Sequence, residues 1–300
     1  MQSNLHYAHT LITNIMLDAK DLINIFERGM PLEETEFAEY LSSGSRHLVL
    51  TFTSVREFAA GFTRSGDFLK LRALLQKIEA LPVKYLRDGD IQEREVVSAS
   101  EAFKNSGEPE AIYPYVKRWD YTLGEHPATA LFVNYRLDDL IYDIWHKNPR
   151  SLHFSEPESK PLKIFMGEQR KLRHSEPKSD KRIFKENAAK WLDGAGISLT
   201  DIDHAAWGEW VYGNPKRCPA LTLQFQVLRE IVRNKGDKPK RGDIPDLAHV
   251  PALPYVDLAT MDKRMVSYVT QASKILKQLN PQIHYESKLF KDFAALLNHS

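Results

Sequence analysis

Two short runs of β-branched and large apolar residues, LITNIML at 11–17 and HLVLTFT at 47–53, are separated by residues with helical periodicity. This alternation restricts the fold more than any other feature of the chain. After the first run, Leu22, Ile25 and Phe26 recur at helical spacing and Gly29 marks a stop. A second helical pattern covers 31–42, with Leu32, Phe37 and Leu41 apolar, and the pattern turns helical again at 55–62. Parallel neighbours need a crossover connection, usually a helix. A strand, two helices, a strand and a helix within about fifty residues therefore predict an α/β fold with a parallel sheet.

Downstream, the periodicity predicts helices over 68–81, 91–103 and 128–145. Residues 148–185 then contain four prolines, and 160–185 hold nine Lys/Arg against three Asp/Glu, a net charge of +6. This reads as a basic loop. Helices are expected at about 184–192, 199–211 and 221–232, followed by a second basic, turn-rich stretch at 233–243. The α/β pattern then returns, with a short helix at 243–250, a strand at 255–260, a long helix at 263–279, a strand at 282–285 and a closing helix at 288–297. The expected organisation is a discontinuous α/β domain, residues 1–85 and 236–300, around a mainly helical insertion, residues 86–235.

Composition excludes several classes. Forty-one Lys+Arg balance forty Asp+Glu, so no uniformly basic coat covers the molecule, although a local basic groove is compatible with this balance. Cys218 is the single cysteine, which rules out an internal disulfide and a cysteine-based zinc site. The first eighteen residues lack the basic start and long apolar stretch of a signal peptide or membrane span. A cytoplasmic protein without membrane partners is expected. The glycine spacing at Gly61 and Gly66 is followed by Asp67 where a P-loop needs lysine, and HExxH, CxxC and GxSxG are missing.

The residues that carry chemistry are acids at the ends of expected strands. Asp18 closes the first strand, Glu57 lies in the helix after the second, and Asp262 closes the third. Open parallel sheets gather ligands at the carboxyl ends of their strands, so these acids are expected to converge there. Asp243 and Asp246 open the short helix before the third strand and can join them. In D-I-P-D, Asp243 suits the cap and Asp246 the site. Crowded carboxylates repel one another unless a cation neutralises them, and an oxygen-only set favours Mg²⁺ or Mn²⁺.

Each candidate also has a plainer role. Asp18 fits a helix cap as well as a ligand, and Glu57 fits a solvated helix face as well as a site. His249, three residues after Asp246, is expected to bond a backbone group more readily than to serve the cleft, where it would be a supporting residue. Thr260 is expected to hydrogen-bond a ligand carboxylate. Glu95 is expected on a solvated face, Asp257 in a structural role, and Trp191, Trp207 and Trp210 in the core. Arg56, Lys263 and Arg264 flank the acids and are candidates for phosphate contact. Arg170, Lys171 and Arg173 in the basic loop are candidates for following a nucleic-acid backbone.

Three segments together resemble the signatures of the PIN-like nuclease family. MLDAKDLI (16–23) resembles its opening strand ending in aspartate, and LTFTSVREF (50–58) its strand, Ser/Thr turn and helical glutamate. GDIPDLAHVPALPYVDLATMDKR (242–264) resembles its aspartate-led helix and strand ending in T-x-D, with IHYESKLFKDF (283–293) as the last strand and helix. The resemblance covers about 45% of the chain, residues 10–85 and 240–297, and is nearest to the larger PIN-like proteins. The chain departs from the family with Lys20 where Asn or Ser is common, and with a long gap between Glu57 and Asp246.

The resemblance implies a PIN-like sheet and a metal-dependent nuclease, in particular an endoribonuclease. Asp18, Glu57, Asp246 and Asp262 would then hold one or two Mg²⁺ or Mn²⁺ ions. RNA would be the partner, together with a protein inhibitor or defence-system partner. The rival expectation is a catalytically inactive nucleic-acid-binding or scaffold protein in which the Lys20 ammonium takes the cation position. A phosphoester hydrolase acting on small substrates is a third.

Overall fold

The computed structural model describes residues 12–116, 118–123, 131–134, 136–147, 167, 179–234 and 243–299. The chain begins with β1 (Thr13–Met16), α1 (Ala19–Arg28), α2 (Glu34–Ser43), β2 (Arg46–Thr51), α3 (Phe52–Ser65) and α4 (Phe68–Glu79). There follow β3 (Val83–Leu86), α5 (Ile91–Lys104), β4 (Tyr115–Val116), β5 (Asp120–Leu123), β6 (Leu131–Asn134) and α6 (Leu137–Lys147). After α6 come α7 (Asp180–Gly194), α8 (His204–Gly213), α9 (Pro219–Arg233) and α10 (Asp243–His249). The chain closes with β7 (Leu258–Thr260), α11 (Lys263–Leu279), β8 (Leu289–Phe290) and α12 (Phe293–Leu297).

Six strands form one sheet in the order β4-β3-β2-β1-β7-β8, parallel except for β4. The register sets Ile15 beside Leu48 and Leu258, and Met16 beside Val49 and Ala259. Successive strand residues face opposite sides, so the apolar runs divide between two cores. Ile15, Leu17, Leu48 and Leu50 pack on one face with Phe26, Phe37, Phe58 and Phe293. Met16, Val49, Leu86 and Ala259 pack on the other with Val227, Leu253 and Val269. Burial on both faces explains why the inner parts of the central strands, Ile15-Met16 and Leu48-Val49-Leu50, are consecutively apolar instead of alternating.

A third apolar cluster joins Val96 and Ala99 of α5 with Phe184, Trp207, Val211 and Phe225 of α7, α8 and α9. Trp207 is fully buried there, and Trp191 and Trp210 pack against the cluster, in keeping with their expected core role. α7 and α8 approach closely at Gly208, where an added Cβ would meet Ala188 Cβ at 2.9 Å and Lys185 Cα at 3.1 Å.

The structure corrects several element boundaries. The helix expected over 128–145 is a strand, β6, paired antiparallel with β5, followed by α6. β3, β4 and β5 are additional strands, and β3 escapes a pattern reading because Lys84 interrupts its apolar residues shortly after α4. The last strand lies at Leu289–Phe290, while Tyr285–Lys288 form a 3-10 turn. Residues Val250–Tyr255 also form a 3-10 turn, containing Pro251 and Pro254, so β7 starts only at Leu258. The end of the expected basic loop is helical from Asp180 onward.

Glu95 departs most from expectation. It is buried on α5, and its carboxylate accepts from the amides of Ala220 (2.8 Å) and Leu221 (3.0 Å) and from the Tyr255 hydroxyl (2.5 Å). Pro219 opens α9, and the free amides of that first turn need acceptors. Glu95 supplies them from another helix. Burial pushes its carboxyl up to about 7, against the pull of those three hydrogen bonds. Asp257 is structural as expected, accepting from the Asn14 amide (2.7 Å) and side chain (3.1 Å) beside β1.

Candidate functional site

From β1 the chain steps outward in one direction through β2 and β3, whereas β7 and β8 lie on the other side of β1. The order therefore reverses between β1 and β7. A crevice opens at the carboxyl ends of the strands flanking such a reversal. Asp18 and Asp262 each follow one of those two strands by two residues. Both cap the next helix: Asp18 Oδ1 accepts from the Lys20 amide at 3.1 Å and Asp262 Oδ1 from the Arg264 amide at 2.8 Å. Capping and placement in the crevice are thus one arrangement, since a strand that ends at the crevice and turns straight into a helix leaves its cap residue there.

Glu57 lies on α3 and Asp246 on α10, and both act electrostatically with Asp18. Burial pushes the Asp246 carboxyl up to about 7, and the charges of Asp18, Glu57 and Asp262 add to it while His249 opposes. Burial likewise raises the Asp18 carboxyl, with Glu57 adding to the rise and the Lys20 amide, His249 and the Lys20 charge opposing it. The other three predicted acids therefore all bear on one carboxylate, Asp246, and the four share one electrostatic environment. Lys20 is exposed, and its charge has the smallest of these effects on Asp18. Among the described residues, no three Asp, Glu, His or Cys groups are already drawn together as a metal-ligand set.

His249 belongs to the cleft and does not bond a backbone group as expected. Its Nε2 lies 2.9 Å from Glu57 Oε2 and its Nδ1 3.3 Å from the Thr51 hydroxyl. Burial disfavours the imidazolium, but the Glu57 hydrogen bond and the charges of Glu57, Asp18 and Asp88 outweigh it and hold the pKa above the usual histidine value. His249 lies on the last turn of a seven-residue helix, three positions from Asp246 and so on the same face.

Thr260 supports the site in a different way from that expected. Its hydroxyl accepts from the Asp18 amide at 2.9 Å and bonds the carboxylate of Asp21. Asp21 is 5% exposed, and burial raises its carboxyl although Thr260 and the Phe293 amide bond it. Asp88 is a second residue that sequence reasoning missed. It follows β3 and accepts from the amides of Phe52 (3.0 Å) and Thr53 (3.1 Å) and the Thr53 hydroxyl (2.8 Å), fixing the start of α3. Thr51 and Ser54 cap that helix reciprocally, a T-x-x-S signal that is legible at the end of the second apolar run.

Asp243 is the first residue of α10. Arg56 is half-buried on α3, Lys263 is exposed, and the Arg264 guanidinium lies 5.9 Å over the Tyr268 ring. Arg170, Lys171 and Arg173 lie outside the described residues, as does 235–242 of the second basic stretch. Arg233 is engaged with Asp180 and Glu230, while Lys181 and Lys185 pair with Glu209 at 2.6 and 2.7 Å. These charges hold helices together.

Compared with protein-family models, curated proteins and solved structures, the chain matches none. No helix among the described residues is long and apolar enough to cross a membrane.

Proposed function

We propose that the crevice is the centre of a divalent-metal-dependent phosphodiester hydrolase, an endoribonuclease with a PIN-like sheet and an inserted helical segment. The observation that supports this reading is the position of Asp18 and Asp262 after the two strands that flank the topological reversal, with Asp18, Glu57 and Asp262 all acting electrostatically on Asp246. The donor set is all oxygen and partly desolvated, which suits Mg²⁺ or Mn²⁺. Asp18, Glu57, Asp246 and Asp262 would hold the ion, which when bound would lower the pKa of water and offset charge on the phosphate.

The chain's own groups prepare that centre. The first turns of α1 and α11 fix Asp18 and Asp262 through their amides. His249 donates to Glu57 and is itself tied to Thr51, so the carboxylate keeps one orientation. The Thr260 hydroxyl accepts from the Asp18 amide and is itself held by the Asp21 carboxylate. Bringing the acids together costs repulsion in the metal-free protein, which a cation relieves on binding.

An end-labelled single-stranded RNA, incubated with Mn²⁺ or with EDTA, tests the reading. The expected result is internal cleavage with Mn²⁺ only, reduced at least about 100-fold in Asp18→Asn and Asp262→Asn. Cleavage that persists in EDTA, or at wild-type rate in both variants, contradicts it. A DNA of the same sequence separates RNA from general phosphodiester hydrolysis. The scaffold reading stands second, because no three ligand groups are already drawn together among the described residues. It requires an intact fold with no metal-dependent cleavage.

A further inference from the structure

A cavity of about 330 Å³ opens beside the acidic crevice at the carboxyl ends of β2 and β3, lined by Phe52, Trp119 and Leu140 with Arg87, Asp88 and Asp90 at its polar side. Its walls are built for rigidity. The rings of Phe52 and Trp119 meet edge to face at 5.8 Å and 88°. Trp119 is held by Tyr85 at 4.9 Å and donates its indole N–H to the Leu86 carbonyl at 3.2 Å. The Phe52 and Thr53 amides are consumed by Asp88, so the helix start offers no anion site here. The polar side carries an ion pair, Arg87 to Asp90 at 2.6 Å, with Arg87 half exposed.

The cavity and the acids are connected. Thr51, the residue before Phe52, has its hydroxyl 3.3 Å from His249 Nδ1, and His249 Nε2 lies 2.9 Å from Glu57. Asp88 also acts electrostatically on His249, the partner of Glu57. A chain whose phosphate lies at the acids can therefore place a neighbouring base at Phe52 and Trp119. A pocket with an aromatic and aliphatic wall and a polar edge matches an unpaired nucleobase better than a phosphate. Base–aromatic stacking needs a base free of its partner.

We propose that this cavity is a nucleobase subsite, with Phe52 as the stacking residue. The proposal rests on the reading of the crevice as a phosphodiester site. The cavity binds the substrate, and Asp18, Glu57, Asp246 and Asp262 remain responsible for cleavage. Phe52 thereby contributes affinity for unpaired strands and discrimination against duplexes.

Anisotropy of a fluorescent 12-nucleotide RNA in EDTA, as a single strand and as a duplex of the same sequence, tests this with the full chain. The single strand should bind more tightly, and Phe52→Leu should weaken it roughly 5- to 100-fold, the range for one lost base–aromatic stack. Phe52→Tyr should restore binding, which separates loss of the aromatic face from loss of folding; a thermal melt of each variant checks the fold. Equal binding of strand and duplex, or Phe52→Leu binding as well as wild type, overturns the proposal. Metal-dependent cleavage retained with Phe52-independent binding refutes the subsite alone. Phe52-dependent binding without metal-dependent cleavage upholds the subsite and refutes the hydrolase reading.

Discussion

Asp246→Asn isolates the cost of crowding the acids. The Asp246 carboxyl sits at about 7 against an ordinary 3.8, chiefly through burial and then through Asp18, Glu57 and Asp262. A tenfold change in proton affinity between the folded and unfolded chain corresponds to about 1.36 kcal/mol, so ionised Asp246 destabilises the metal-free fold by at most about 4 kcal/mol. Partial exposure to solvent reduces this to about 2–3 kcal/mol. Between about pH 4 and 7 the folded protein keeps a proton that the unfolded chain releases, so stability falls as pH rises. The asparagine side chain has no proton to lose. Urea unfolding in EDTA should therefore find the variant about 2–3 kcal/mol more stable than wild type at pH 8, with the difference closing toward pH 4. A variant less stable at pH 8, or a difference independent of pH, refutes the account of Asp246 as a crowded acid.

Glu57→Gln should remove the charge that raises His249, so the histidine pKa, followed by NMR, should fall; the wild-type contribution of this pair is present below about pH 6.5 and is lost as pH rises through the folded pKa. Glu95→Ala should leave two amides and the Tyr255 hydroxyl unpaired in the interior and cost about 2–4 kcal/mol by urea unfolding. Gly208→Ala should force α7 and α8 apart at Ala188 and Lys185 and lower stability by about 1–3 kcal/mol, read from the thermal midpoint.

The centre of the sheet is legible in the sequence because its strands are buried on both faces. Runs such as Leu48-Val49-Leu50 are consecutively apolar and bounded by helical periodicity, which fixes β1, β2 and the helices after them. Asp18 and Asp262 are legible for the same reason, since a strand end next to a helix start identifies both a cap and a crevice residue. β3 is hidden, and with it Asp88, because Lys84 interrupts its few apolar residues and it follows the apolar pattern of α4 with only a short turn between. Glu95 misleads because its partners, the amides of Ala220 and Leu221, lie more than 120 residues away. Helical spacing reports which face a residue occupies, not what the fold brings to that face. His249 is named in the sequence as a candidate, but its partners are hidden, because its bonds to Glu57 and Thr51 span 192 and 198 residues.

The central claim is that the four carboxylates form a divalent-cation site, and a Mn²⁺ titration followed by electron paramagnetic resonance of free Mn²⁺ tests it most directly. Wild-type protein should take up one or two ions per chain, and Asp18→Asn and Asp246→Asn should each weaken uptake at least about tenfold while remaining folded. No uptake by the wild type, or equal uptake by wild type and both variants, would contradict the account.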